Sequence, residues 1–258
     1  MTTIKIGLKG SSTSGNFGHA GRPGKLGGSV GKGASGAPML EVTNRRKVDS
    51  GINNADVVTL TDGSVWLEKD NSIGAATMSV GGSDLPTYDQ AAAEVLAYQL
   101  SKELGAIVPE TYIVKDQITR QRFVEGNTAL DALDRVDQED VLSTREGAGM
   151  VAMDFVTGNI DRRSCNWMVD AHYKPIAIDN GLAQPSVIGM GALVDTLSQC
   201  YTYNVWMNKP LPADLLAGLR RVADNTSLPS GYRARAKYAA EHGVLPGKFT
   251  YSDEEYGI

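Results

Sequence analysis

The segment from residue 159 to residue 181, NIDRRSCNWMVDAHYKPIAIDNG, constrains the chain more than any other, because it reads as strand, turn, strand with oxygen-bearing side chains at set places. Trp167, Met168 and Val169 form one apolar run. The turn residues Asp170, Ala171 and His172 follow, and Pro175, Ile176, Ala177 and Ile178 form a second run that stops at Asp179, Asn180 and Gly181. Short runs separated by turn residues read as paired strands, and glycine frees the backbone just past a carboxylate. Pairing them as a hairpin puts Asn166, which opens the first run, at the same end as Asp179. Asp161 lies upstream, after the polar turn Thr157, Gly158, Asn159. Carboxylate and amide oxygens are the hard donors that Mg²⁺ prefers, and Mg²⁺ usually takes one or two of them together with substrate phosphates. The set therefore points to chemistry on a metal-bound phosphate, with Asp161 free to orient a hydroxyl.

At these residues the chain resembles the catalytic core of the kinase superfamily, in which D-x-x-x-x-N forms the catalytic loop and D-x-G carries the metal aspartate. The string D-R-R-x-x-N-W, with I-D-N-G in place of D-F-G, looks most like the phosphatidylinositol 3-/4-kinase-like group, which includes small bacterial and phage proteins and the related HipA-type kinases. The resemblance implies that Asp161 is the catalytic aspartate and that Asn166 and Asp179 are metal ligands. Arg163 departs from the pattern, since members usually carry histidine there.

An upstream lobe is present in the expected order. Residues 56–60 (DVVTL), a turn through Asp62 and Gly63, and residues 65–69 (VWLEK) predict a β-hairpin with an Asp-Gly turn. Lys69 alternates with Leu67 and Val65, so one face carries all three. Glu94 lies in AAAEVLAYQLSKELG, where Ala93, Leu96, Ala97, Leu100 and Leu104 recur at helical spacing and Gly105 stands at the C′ position. Pro109 and Glu110 lead into a further strand. The layout resembles the family's lysine strand and glutamate helix, which implies that Lys69 holds nucleotide phosphates and Glu94 positions Lys69. Arg122, Phe123, Val124, Glu125 and Gly126 fit the short strand between lobes whose backbone would meet adenine.

Taken singly, these residues have plainer readings. A turn Asp or Asn caps backbone, Lys69 sits on a strand surface, and Trp66 and Trp167 are core or cleft walls. Arg162 and Arg163 either pair with nearby carboxylates such as Asp154 or bind an anionic substrate. The ordered set of five, Lys69, Glu94, Asp161, Asn166 and Asp179, favours the joint reading.

Residues 10–36 are rich in glycine and serine, with Arg22, Lys25 and Lys32 and almost no apolar periodicity, so residues 1–45 read as a flexible arm. A glycine recurs every third residue from Gly15 to Gly27, too briefly for a triple helix. No P-loop fits, since His19 and Leu26 stand where its first glycine belongs. GNFGHAGRPGKLGGS looks like a motif near the start of assorted tailed-phage proteins. The arm's serines and threonines suit either a phosphate-covering nest or an autophosphorylation segment.

Downstream of Gly181 no long activation segment fits. Residues 192–203, 212–223 and 230–242 read as helices, with Asp214 and Ser230 as first-turn or N-cap residues and Gly243 as a stop. The net charge of −5 argues against general nucleic-acid binding. Two cysteines, Cys165 and Cys200, form neither a disulfide framework nor a zinc site. No run suits a bilayer span and no signal-peptide core opens the chain, so the expected setting is cytoplasmic, that of the host if phage-encoded.

The expectation is an α+β, two-lobed protein-kinase-like fold, with a small β-rich N-lobe over residues 46–126 and a mostly helical C-lobe over residues 127–258. It would use ATP and Mg²⁺ to phosphorylate a protein Ser/Thr hydroxyl. A nucleotide-binding pseudokinase acting as scaffold or virion component, an AMP transferase and a lipid kinase are the alternatives.

Overall fold

The computed structural model describes residues 40–48, 54–72, 79–80, 83–84, 89–183 and 189–247. The glycine-rich arm lies outside these, apart from its last residues. Those begin β1 (Val42–Lys47), so the sheet starts inside the stretch assigned to the arm. β1 is an exposed edge strand, held by its ladder to β2 (Asn54–Leu60) and not by a buried face, which is why no apolar alternation marked it.

β2 and β3 (Val65–Asp70) form the expected hairpin, tightened where Gly63 takes a left-handed conformation and donates to the Leu60 carbonyl. With β6 (Thr111–Lys115) and β7 (Ile118–Arg122) they make one antiparallel sheet in the order β1-β2-β3-β7-β6. Val57 pairs with Leu67 and Ala55 with Lys69, so Lys69 shares its face with half-buried Val57, Leu67 and Val65. The opposite face holds a small cluster of Val58, Leu60 and Trp66. Tyr112 meets Trp66 edge-on at 5.2 Å, and a lattice of Arg45, Asp56, Glu68 and Arg120 ion pairs lies on the same face. Two very short strands, β4 (Ser79–Val80) and β5 (Ser83–Asp84), pair beyond β3.

α1 (Gln90–Leu104) starts where the Asp89 carboxylate accepts from Ala92 N, and stops at Gly105 in the left-handed conformation. Its Ala97, Leu100 and Leu104 enter the main core, so the helix that follows the first strands is embedded in the helical half. At the centre of that core stands α4 (Arg145–Thr157), buried from Gly147 through Thr157. The short α2 (Ala129–Ala132) and α3 (Arg135–Leu142) precede it. The hairpin of β8 (Trp167–Val169) and β9 (Pro175–Ala177) lies against it, tied to the α1–β6 connection by a hydrogen bond from Ala177 N to Ile107 O.

α5 (Met190–Leu197), α6 (Tyr201–Asn204), α7 (Ala213–Asp224) and α8 (Ser230–His242) complete the helical layer. The expected single helix over 192–203 is instead two, broken by a turn in which Cys200 N binds the Leu197 carbonyl. Pro212 and Pro229 precede α7 and α8, so Asp214 and Ser230 lie inside the first turns. The whole is a two-lobed, protein-kinase-like α+β fold: an antiparallel sheet lobe joined to a helical lobe through the residue 123–128 connector. Among the described residues no helix is long and apolar enough to cross a membrane.

Candidate active site

Five side chains singled out from the sequence gather where the two lobes meet. Lys69 is 8% exposed. Its ammonium donates to Glu94 Oε1 at 2.9 Å and lies 3.5 Å from Asp179 Oδ1. Burial alone would depress the lysine, but the carboxylates of Glu94 first and Asp179 second more than offset it and raise its pKa above the ordinary value. The pair is fixed from both sides, by the β3 ladder and by α1 packed into the main core. Among the described residues Glu94 Oε2 has no hydrogen-bond partner, and Lys69 is the described group that orients the carboxylate.

Asp179 directly follows the apolar run of β9, at φ 55, a left-handed conformation that a bulky residue would resist. Its side chain is half-exposed and keeps one oxygen for other partners. Across the hairpin Trp167 pairs with Ala177, and Ile178 N donates to Asn166 O at 3.2 Å, so Asn166 and Asp179 do share one end. Asn166 Nδ2 donates to the backbone and carboxylate oxygens of Asp161, at 2.7 and 3.0 Å. Its Oδ1 meets only the weak thiol donor of Cys165, at 3.3 Å. The Asn166 amide oxygen, which meets a thiol, and the half-exposed Asp179 carboxylate, which shares Oδ1 with Lys69 and has Oδ2 to offer, are the hard donors that suit Mg²⁺. Among the described residues no group of three or more His, Cys, Asp or Glu is placed to hold a metal ion.

Below this end lies a network that the sequence reading did not assemble. Arg162, 2% exposed, binds both oxygens of Asp154 in α4 at 2.9 Å each, through Nε and Nη2. Its Nη1 donates to the carbonyls of Asn166 and Ile178, and its Nη2 also to Asn180 Oδ1. Burial opposes the charge on Arg162, yet the Asp154 carboxylate outweighs it and raises the arginine pKa. One guanidinium thus pins both strands of the hairpin on either side of Asn166 and Asp179. Asn159 Nδ2 holds the same carboxylate at 3.1 Å, while its Oδ1 accepts from Asp161 N. Of the two readings for Arg162, pairing with Asp154 is the one realised. The available signal was a lone acid inside the apolar run MVAMDFV, since a charge in such a place is seldom buried unpaired.

Arg163 turns the other way. It is exposed and grips Asp161 with two bonds, Nε to Oδ1 at 2.7 Å and Nη2 to Oδ2 at 3.0 Å.

The connector carrying Phe123, Val124 and Glu125 is not the expected strand. β7 ends at Arg122, and only Phe123 N continues the ladder, donating to Val65 O at 3.1 Å. Gly126, at φ 153, turns the chain past Met168: a Cβ here would lie 3.3 Å from the Met168 methyl. Phe123 and Val124 are half-buried and Glu125 is exposed.

No family model and no curated protein sequence matches the chain. Among solved structures it is similar to the Rio2 kinase of Chaetomium thermophilum in its ADP/Mg²⁺-phosphoaspartate complex. The two are 13% identical over 79% of this chain and 72% of that one, with a TM-score of 0.45.

Proposed function

We propose that the chain is an ATP-dependent phosphotransferase, an atypical kinase of the phosphatidylinositol 3-/4-kinase-like kind that phosphorylates a protein Ser/Thr hydroxyl. The observation that carries this is the convergence of Lys69, Glu94, Asp161, Asn166 and Asp179 at one cleft, from two lobes and from positions far apart in sequence. A surface lysine has no need of a buried glutamate from a helix and a carboxylate from the other lobe.

In this reading Lys69, held protonated by its two carboxylates, binds nucleotide phosphates, and Glu94 keeps it from collapsing onto Asp179 alone. Asn166 and Asp179 would hold Mg²⁺, which when bound neutralises phosphate charge. Asp161, fixed by Asn166 and by its backbone bond to Asn159, orients the acceptor hydroxyl for in-line attack and takes its proton. Phe123, Val124 and Glu125 offer backbone groups to the adenine edge, above Met168. No feature of the described surface resembles a basic amphipathic membrane helix, which favours a protein over a lipid acceptor. The phage-like string in the arm suggests a phage source.

Incubating purified protein and its Asp179→Ala variant with Mg²⁺ and ATP labelled separately at the γ- and α-phosphates tests the proposal. Transfer of γ-label to protein, lost in the variant, is the expected result. Transfer of α-label would instead mean AMP transfer. Nucleotide binding with neither transfer would leave a pseudokinase, and absence of binding would end the reading.

A further inference from the structure

The outer face of α2 and α3 carries charge that nothing described balances. From Glu125 to Asp140 stand Glu125, Asp131, Asp134, Asp137, Glu139 and Asp140, against one basic residue, Arg135. All of these carboxylates are exposed. Other surface acids meet cations: Asp56 and Glu68 meet Arg45, Glu146 meets Lys174, Glu103 meets Arg221 and Asp214 meets Arg145. Among the described residues none of the acids from Glu125 to Asp140 has an ion-pair partner, and Arg135 lies over the ring of Tyr201 at 5.0 Å. In the same stretch Leu130 of α2 and Val136 of α3 are 59% and 69% exposed, while Gln138, Val141 and Leu142 make the buried inner side. Unpaired carboxylates beside apolar side chains left in water fit a partner that brings both cations and apolar groups.

This face is fastened to the loop that carries Asp161. Leu130 N donates to the Ser164 carbonyl at 3.0 Å, and Ser164 Oγ donates to Gln138 Oε1 at 2.7 Å, so both helices rest on a residue that stands between Asp161 and Asn166 in the chain. The sequence itself supplies a matching partner. Residues 1–39 hold Lys5, Lys9, Arg22, Lys25 and Lys32 and no Asp or Glu, with Leu26 and Val30 among the last three cations. All 30 acidic residues but only 20 of the 25 basic ones belong to the remainder, which therefore carries a net charge of −10. Thirty-nine residues span at most about 130 Å, far more than the breadth of a body with a radius of gyration of about 17 Å. The arm can therefore meet this face on its own chain, where tethering raises its effective concentration.

We propose that the outer face of α2 and α3 docks this chain's own cationic segment, residues 22–32. Lys25 and Lys32 meet the unpaired carboxylates, and Leu26 and Val30 cover Leu130 and Val136. Ser29, between the two lysines, is thereby brought alongside the loop of Asp161. Resting on the phosphotransferase reading above, Ser29 is then an acceptor: its Oγ bonds to the terminal phosphorus, its proton passes to Asp161, and the bond to the departing ADP breaks. The substrate class of the site is a serine set between basic residues.

Carbodiimide joins a lysine amine to a carboxylate only where the two touch, so cross-linking of the full chain, read by mass spectrometry, tests the docking without any need for activity. Links from Lys25 and Lys32 to Asp131, Asp137, Glu139 or Asp140 are expected within one chain. They should disappear in 1 M salt, where the screening length is about 3 Å. With Asp137→Lys and Asp140→Lys, both outside the α3 cap at Asp134, links to Asp131 and Glu139 should fall about tenfold, the scale of two surface ion pairs. Adding Lys25→Glu and Lys32→Glu should restore links between arm and face with amine and carboxylate exchanged. Arm links to other surfaces, links that run only between copies in mixtures of ¹⁵N-labelled and unlabelled protein, or links indifferent to charge reversal would overturn the docking. Incubation with γ-labelled ATP should put label on Ser29, reduced about tenfold by the Asp137→Lys, Asp140→Lys pair; label unchanged by that pair would overturn the acceptor role. Charge-dependent links with no γ-transfer by wild type would overturn the phosphotransferase reading and leave the docking standing.

Discussion

Lys69 is both a candidate phosphate ligand and the sole described partner of a buried glutamate, so its replacement carries two separable effects. Lys69→Met should abolish nucleotide binding. It should also cost about 3–5 kcal/mol of stability, because Glu94 is then left charged and unpaired at 1% exposure. Adding Glu94→Leu should recover most of that stability in urea denaturation and none of the binding. A stability loss that the second change does not recover would mean the pair is not what holds this region. Cys200, whose thiol donates to the Ile160 carbonyl just before Asp161, gives a pH-dependent counterpart. Burial pushes its thiol up to about 11 from an ordinary value of 9.0. Between those values the folded chain keeps a proton that the unfolded chain loses, so stability falls as pH rises through that window. The thiolate is the reactive form. Alkylation of Cys200 in folded protein, followed by mass spectrometry, should therefore lag the unfolded chain at pH 9 and accelerate toward pH 11.

At the scale of elements, a buried ion pair between Arg162 and Asp154 ties the β8–β9 hairpin to α4, beside the packing of Trp167 and Ala177 into the main core. Removing one partner leaves a charge stranded, whereas replacing both with apolar residues need not. Asp154→Ala should therefore destabilise by about 3–5 kcal/mol, and Asp154→Leu with Arg162→Met by distinctly less. Both should lose transfer activity, since Asn166 and Asp179 would no longer be pinned. Thermal melts paired with the γ-label assay would separate the two effects. Helix contact is just as demanding. A Cβ on Gly218 of α7 would lie 2.1 Å from the Glu103 carbonyl of α1, and one on Gly149 of α4 only 2.6 Å from that of Leu104. Backbone cannot yield as a side chain can, so Gly149→Ala and Gly218→Ala should each cost about 1–3 kcal/mol or more. Gly191→Ala in α5, with open space around it, should be neutral or slightly stabilising.

Across the whole molecule, α1 is the element through which the lobes are coupled. It presents Glu94 to the sheet while its Ala97, Leu100 and Leu104 belong to the large core of the helical lobe. The sheet has only a small cluster of its own, Val58, Leu60 and Trp66, beside an exposed edge strand. Opening free energies follow such differences in buried contacts. Hydrogen exchange should therefore show α1 protected to the same degree as α4 and α8, with β1 and β2 exchanging well before them. Exchange of α1 together with β1 would show that the helix moves with the sheet, and that the Lys69–Glu94 pair is not permanently held.

The hairpins, α1 with its stop at Gly105, and the common end shared by Asn166 and Asp179 were legible in the sequence. Each rests on local rules: period-two or helical spacing, an Asp-Gly turn, a glycine that stops a helix. That Lys69, Glu94 and Asp179 meet, and Asp161 and Asn166 likewise, was an expectation carried by the resemblance of their order in the chain to the kinase core. The break between α5 and α6, the loss of strand geometry after Arg122, and the strand at Val42–Lys47 were not, because neighbours distant in the chain decide them. The choice between the two arginines belongs to the same class. Arg162 and Arg163 are adjacent and chemically identical, and only the packing of α4 beneath the hairpin buries one against Asp154 and leaves the other in solvent over Asp161. Local patterning fixes which residues meet in an element; long-range burial decides which charges must be paired, and so which of them remain free to act.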